Sequence, residues 1–245
     1  MERIATPSAT NPWLVKMEPG IYDLGDEALV MRPFVDIEGS GQGVTSITSA
    51  GVFAVIAASD AEIRELTVES TSPHPPGLGC PTPLQDCYAV LVDTGVDAKI
   101  TNATIHTTSG TFPLGVNPGS TVEVNGGSIT CASFCHGVQV DGGSATLKGT
   151  SITAFGFLSR GVDAGGTVNL INVTVDVGNG GTKALQALGG TINVHNSIIR
   201  GEHILVAGGQ INIGASQVEL FGSATGATCV ASYDSSFTPL GANCL

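Results

Sequence analysis

Three stretches of this chain repeat one another. Gly-Gly-Thr-Val-Asn begins at Gly165, Gly-Gly-Thr-Ile-Asn at Gly189 and Gly-Gly-Gln-Ile-Asn at Gly208. Self-similarity at a near-fixed spacing dictates architecture, because each repeat must be one structural unit stacked on the next. Earlier and weaker copies begin near Glu62, Lys99, Thr121 and Ala145. Aligning them gives one column of Ile63, Ile100, Val124, Leu147, Leu170, Val194 and Ile213. A second column, five residues on, holds Val68, Ile105, Ile129, Ile152, Val175, Ile199 and Val218. Every member of both is aliphatic.

Within each copy, apolar and polar residues alternate over short runs rich in Val, Ile and Thr. This is strand periodicity with one buried face. The 34 Gly and 12 Pro argue against long helices. Between the aliphatic columns lies a third: Asn102, Gly126, Gly149, Asn172, Asn196 and Ala215. Asn and Gly are the residues that best tolerate a left-handed backbone, so this column predicts a sharp bend in every copy. The looser Gly-Gly turns complete a unit of three short strands. A period of about 19–24 residues with three strands predicts a parallel β-solenoid. About eight or nine rungs, stacked about 4.8 Å apart, give a rod of roughly 40 Å.

With its Asn/Gly bend column, the chain resembles the right-handed parallel β-helix proteins of the pectin-lyase-like superfamily. The opening segment from Pro12 to Leu24, followed by Val35-Asp-Ile-Glu-Gly-Ser-Gly to Gly41, is similar to the entry of many such repeat proteins. The form Cys-Val-x-x-Tyr-Asp-x-x-Phe, from Cys229 to Phe237, resembles endings of uncharacterised bacterial members. The resemblance covers nearly the whole chain. It implies an all-β, single-stranded, right-handed parallel β-helix, and it alone supplies the handedness.

One domain spanning 1–245 is the economical organisation. Residues 1–24, with Trp13 and Tyr22, are the expected N-terminal cap. Residues 70–87, carrying Pro73, Pro75, Pro76, Pro81 and Pro83, are an insertion without a strand. Residues 229–245 are the expected C-terminal cap. The six cysteines form three close pairs: Cys80 with Cys87, Cys131 with Cys135, and Cys229 with Cys244. Local disulfides are the favoured reading and imply an oxidising compartment, hence an extracellular or cell-surface location. Free thiols stay open, as does metal binding through Cys131, Cys135 and His136, although zinc-type CxxC pairs are missing. No stretch approaches the roughly 20 apolar residues of a membrane span, and no secretion signal is visible.

A net charge of −12 with nine Lys plus Arg makes nucleic acid a poor partner. It also repels a polyanionic sugar unless a divalent cation such as Ca²⁺ bridges the two. No resident cofactor or metal is otherwise indicated. Asp93, Asn117, Asp141 and Asp163 recur near one strand end. That pattern suits Ca²⁺ or paired acids for glycoside hydrolysis, and more simply turn formation. Just upstream, His136, Arg160, Lys183 and His203 lie on four successive rungs, with Gln139, Gln186 and Glu202 beside them. As a functional set, His136, Asp141, Arg160 and Asp163 are the candidate catalytic residues. Gln139, Lys183, Gln186, Glu202 and His203 are the candidate binding residues. A solvated strand edge is the simpler alternative. A second outward row, Asn169, Asn193 and Asn212, is expected to form a structural amide ladder.

The resemblance raises polysaccharide lyase, glycoside hydrolase and carbohydrate esterase activities. Their motifs are largely missing. Cys135-His136-Gly137 matches only the His-Gly part of the polygalacturonase Gly-His-Gly. Gly20-Ile21-Tyr22-Asp23-Leu24 matches only Gly and Tyr of the pectin methylesterase start. No pectate-lyase set of Ca²⁺-binding acids with an Arg is recognisable. Sequence therefore favours an extracellular repeat module that binds a glycan or surface protein or acts as a spacer, with a polysaccharide-active enzyme as the alternative.

Overall fold

The computed structural model describes residues 4–72, 87–108, 110–132, 134–178, 180 and 182–244. Among these the regular structure is entirely strand, and every strand-to-strand ladder is parallel. Each turn of chain gives three strands, and each strand pairs with its equivalent one turn later. Sheet 1 has 10 strands, from Trp13–Lys16 to Ala227–Val230. Sheet 2 has 9, from Gly20–Asp23 to Gln217–Leu220, and sheet 3 has 9, from Leu29–Val30 to Ala224–Thr225. The rod is thus a three-sided β-solenoid with about the rung number that the repeat predicts.

The register reproduces the sequence columns. Ile63, Ile100, Val124, Leu147, Leu170, Val194 and Ile213 pair in succession down sheet 1. Val68, Ile105, Ile129, Ile152, Val175, Ile199 and Val218 do so down sheet 2. All are buried in one continuous core. Because period-2 alternation sends these side chains inward, a one-residue slip would turn a whole ladder to solvent.

The bend column is also left-handed as expected: φ is 47° at Asn102, 69° at Gly126, 62° at Gly149, 56° at Asn172, 49° at Asn196 and 48° at Ala215. Glu65 takes the same conformation one turn earlier, at 55°. Asn earns a second role there, since the Asn196 amide donates to Asn172 Oδ1 at 2.6 Å. The paired glycines have a different cause. A Cβ on Gly190 would lie 2.3 Å from the Gly166 carbonyl oxygen, so successive Gly-Gly turns nest without room for a side chain.

Two of the expected cysteine pairs are disulfides: Cys131–Cys135, with S–S 1.99 Å, and Cys229–Cys244, with S–S 2.08 Å. The Cys80–Cys87 pairing and most of the 70–87 insertion lie outside the described residues. Trp13 and Tyr22 belong to the first rung, opposite Val35 and Ile47. At the other end, Tyr233 bridges to Gln217 and Pro239 and stacks on Phe237 at 5.4 Å. No helix among the described residues is long and apolar enough to cross a membrane.

The bend geometry makes a direct prediction. Asn172→Val forces a β-branched residue into a left-handed conformation and removes the amide bond, so it should cost about 2 kcal/mol. Asn172→Gly, which keeps the conformation at ease, should cost clearly less. Urea unfolding of both variants checks this.

Candidate functional site on the third sheet

Strict alternation would turn His136 and Val138 to the same side. The strands of sheet 3 break that alternation. In His136–Val140, Gly137 and Val138 are consecutive buried residues, and the same holds for Gly161 and Val162 in Arg160–Ala164. A Cβ on Gly137 would sit 2.8 Å from Ile152 Cγ2, and one on Gly161 2.5 Å from Val175 Cγ1, so both glycines face the core. Two inward residues in a row leave the residues on either side pointing outward, three positions apart. The alternation is interrupted at the same place on each of these strands, with the register kept, and this re-aims the side chains.

Two outward rows result. The first runs Phe53, Tyr88, Phe112, His136, Arg160, Lys183. Its aromatic part is a ladder: Phe53–Tyr88 at 6.4 Å, Tyr88–Phe112 at 5.7 Å and Phe112–His136 at 4.7 Å between ring centroids. The second runs Ile56, Leu91, Gly115, Gln139, Asp163, Gln186, Leu205. Tyr88 lies over Gly115, where a Cβ would meet its ring at 2.3 Å. Both rows become polar together on three consecutive rungs, and both are apolar before them.

Asp163 is the centre of that polar patch. It is only 6 % exposed although its strand face is the outer one. Its Oδ2 accepts from Arg160 Nη1 in a close ion pair and lies 3.4 Å from His136 Nδ1. Gln139 Oε1 is 3.2 Å from the same His136 nitrogen, and Gln139 Nε2 donates to Asp141 Oδ2 at 2.9 Å. On the far side stands Gln186, 3 % exposed, whose Oε1 has no hydrogen-bond partner among the described residues. Arg160 Nε is likewise buried and unpartnered. Unmet buried polar atoms are uncommon and call for an explanation. Here two of them border one carboxylate.

The electrostatics follow from burial. Loss of solvent pushes the Asp163 carboxyl above its usual range, and Arg160 and, more weakly, Lys183 pull it back only in part. Loss of solvent also lowers the Lys183 ammonium, assisted by the Arg160 charge and opposed by Asp163. A perturbed carboxylate with a specific charge partner marks a functional candidate.

The structure thus brings together His136, Gln139, Asp141, Arg160, Asp163, Lys183 and Gln186 from the sequence-derived set. Glu202 and His203 follow one rung on, where the Ala184 N–H donates to the His203 carbonyl at 2.8 Å, with the His203 side chain engaged elsewhere. These two form the turn between Ile198–Gly201 and Ile204–Ala207. His203 Nδ1 is engaged there by the Ser223 backbone N–H and hydroxyl, both at 3.1 Å, and its Nε2 is 3.5 Å from Glu202. The Asp column separates as well. Asn117 donates to Asp93 Oδ1 at 2.9 Å and the Thr94 N–H to the same atom at 2.7 Å, which is turn chemistry. Asp163 stands two positions before that column, which falls on Gly165 in its rung, and is in register with Gln139 and Gln186. Among the described residues no three His, Cys, Asp or Glu converge as a metal site requires. On sheet 1 the Asn row is a ladder: Asn193 donates to Asn169 at 3.0 Å and Asn212 to Asn193 at 2.9 Å.

No family model matches the chain. No curated protein matches it either. Among solved structures it is similar to a pectin methylesterase from carrot, at 13% identity and a TM-score of 0.52, over 94% of this chain and 74% of that one. A pectin methylesterase from Yersinia enterocolitica aligns at 13% identity and a TM-score of 0.47, over 94% and 78%. The mannuronan C-5 epimerase AlgE6 A-module from Azotobacter vinelandii aligns at 12% identity and a TM-score of 0.28, over 95% and 92%. At this identity the likeness to the carrot enzyme is one of fold: the chain is a right-handed parallel β-helix.

Proposed function

We propose that this chain is a secreted protein that hydrolyses ester substituents on a polysaccharide at the polar patch around Asp163. The observation that carries the reading is a buried carboxylate on an outer sheet face, bordered by unmet polar atoms. A spacer or a simple binding face has no need of a desolvated charge. A hydrolytic base does, because a raised pKa strengthens it. The two disulfides fit an oxidising compartment.

Arg160 holds Asp163 Oδ2, which leaves Oδ1 to take a proton from an incoming water. That water adds to the ester carbonyl carbon, the carbon–oxygen bond to the alcohol breaks, and acid and alcohol leave. Gln139 and Gln186 flank Asp163 one rung to each side, placed to steady the oxyanion of the tetrahedral intermediate. In this reading the protonated Asp163 returns that proton to the departing alkoxide, and His136, 3.4 Å from Asp163 Oδ2, orients the carboxyl group. Ester groups also suit the electrostatics, since a capped or neutral glycan escapes repulsion by the net charge of −12.

A panel of methylated, acetylated and acylated polysaccharides, assayed for released acid or alcohol with and without Ca²⁺, tests this reading. The expected result is Ca²⁺-independent release that falls about 10³-fold in Asp163→Asn. Glycan binding without any product would instead support a binding module. The base must be ionised, so the acid limb of kcat/KM should lie above the ordinary Asp value of 3.8.

Stability gives an independent check. A raised folded pKa means that Asp163 favours folding below its unfolded pKa, and that this contribution is lost as pH rises through the folded value. At neutral pH the ionised group is a net cost. Asp163→Asn should therefore leave the Tm unchanged or higher while activity collapses.

A further inference from the structure

The loops that feed the first outward row carry apolar side chains with nothing yet to do. Phe155, Phe157 and Leu158 are 52%, 61% and 45% exposed, three large apolar residues within four positions. Phe134, from the preceding rung, meets Phe157 edge-on at 5.6 Å. These loops end where the site begins: Cys135 precedes His136, and Leu158 and Ser159 precede Arg160. On the next rung Gly178 supplies a low floor, where a Cβ would lie 2.9 Å from Phe155 Cδ1. Exposed aromatic rings therefore stand beside a glycine step at the edge of the polar patch.

The patch is held rigid. The Phe134 N–H donates to the Phe157 carbonyl at 3.0 Å. The Cys131–Cys135 disulfide closes the Phe134 loop. Ser159 Oγ donates to the Phe155 carbonyl at 2.7 Å. Phe134 and Leu158 both sit in the left-handed region, with φ of 53° and 58°, which costs about 1–3 kcal/mol at each non-glycine position. A surface that holds apolar groups out in strained, braced loops is pre-organised to bind.

Its chemistry is narrow. Phe and Leu offer no hydrogen-bond donor or acceptor, so sugar hydroxyls find no partner there. From Phe157 to Arg160 is three residues, about 10 Å of extended chain at most, and Arg160 reaches Asp163 directly. We infer that this patch receives the acyl part of the ester, and that the substrate carries an extended apolar or aryl acyl group rather than an acetyl one. This inference rests on the ester-hydrolase reading of the Asp163 site.

Nitrophenyl acetate, butyrate and hexanoate assayed with the full chain test it. The wild type should show kcat/KM rising about fourfold for each methylene buried, mainly through KM. Phe157→Ser and Phe155→Ser, both at exposed positions, should flatten the hexanoate-to-acetate ratio, and Phe157→Leu should retain most of it. Calorimetric titration with the free acids provides a readout without turnover: hexanoate should bind more tightly than acetate to the wild type, and equally to Phe157→Ser. A flat ester series with equal acid binding overturns the acyl subsite while leaving ester hydrolysis intact. Selective hexanoate binding with no hydrolysis of any ester overturns the hydrolase reading and leaves the apolar subsite standing. An ester series as steep in Phe157→Ser as in the wild type also overturns the inference.

Discussion

In-register parallel pairing, rung on rung, is the constraint on which everything else in this molecule depends. Each strand must hydrogen-bond to its equivalent one turn away, at about 4.8 Å. Residues at one position of the repeat therefore stack on one another along the rod. Aliphatic columns become a core, and Asn and Gly columns become bends. Amides at one outward position become the Asn169–Asn193–Asn212 ladder. The same stacking concentrates unlike residues wherever the repeat departs from its own pattern.

The polar patch at Asp163 is such a departure. Its two rows are Phe, Tyr, Ile and Leu on the earlier rungs and turn to His, Arg, Lys, Gln and Asp on three consecutive ones. Parallel register alone would have placed these groups near one another. The core-facing Gly137 and Gly161 do more, because they let both outward residues of each strand lean together. The ion pair of Arg160 with Asp163 follows from that local break in alternation. So does the cost: a carboxylate is carried out of water, which raises its pKa and makes it useful as a base.

Much of this was legible in the sequence. The two aliphatic columns pair residue for residue, and the Asn/Gly column is left-handed throughout, because those positions answer to local sterics and to one repeated environment. The seven clustered site residues were reachable because few basic residues exist and three of them fall at one repeat position. The His203 side chain turns to Ser223 and Glu202 for a physical reason. The repeat shortens late in the chain, from 24 residues between Asn169 and Asn193 to 19 between Asn193 and Asn212. The shortening falls before the third strand: two residues separate Ile198–Gly201 from Ile204–Ala207, where five separate Thr174–Val177 from Lys183–Leu188. The aromatic ladder from Phe53 to His136 was missed because its members are separated by the 70–87 insertion. The aligned runs Phe-Ala-Val-Ile, Tyr-Ala-Val-Leu and His-Gly-Val-Gln, from Phe53, Tyr88 and His136, were the available signal. Two consecutive inward residues broke strict alternation, and only the recurring Gly or Ala after the first outward residue announced it.

The central claim is that the Asp163 carboxylate is desolvated and still able to take a proton. Carbon-13 detected pH titration of the Asp163 side-chain carboxyl in the intact protein measures this directly. The account predicts a midpoint above the ordinary 3.8, moving further up when Arg160 is replaced by Gln. A midpoint at or below 3.8 would contradict it, because Asp163 would then be a plain surface ion pair and the patch no reaction centre.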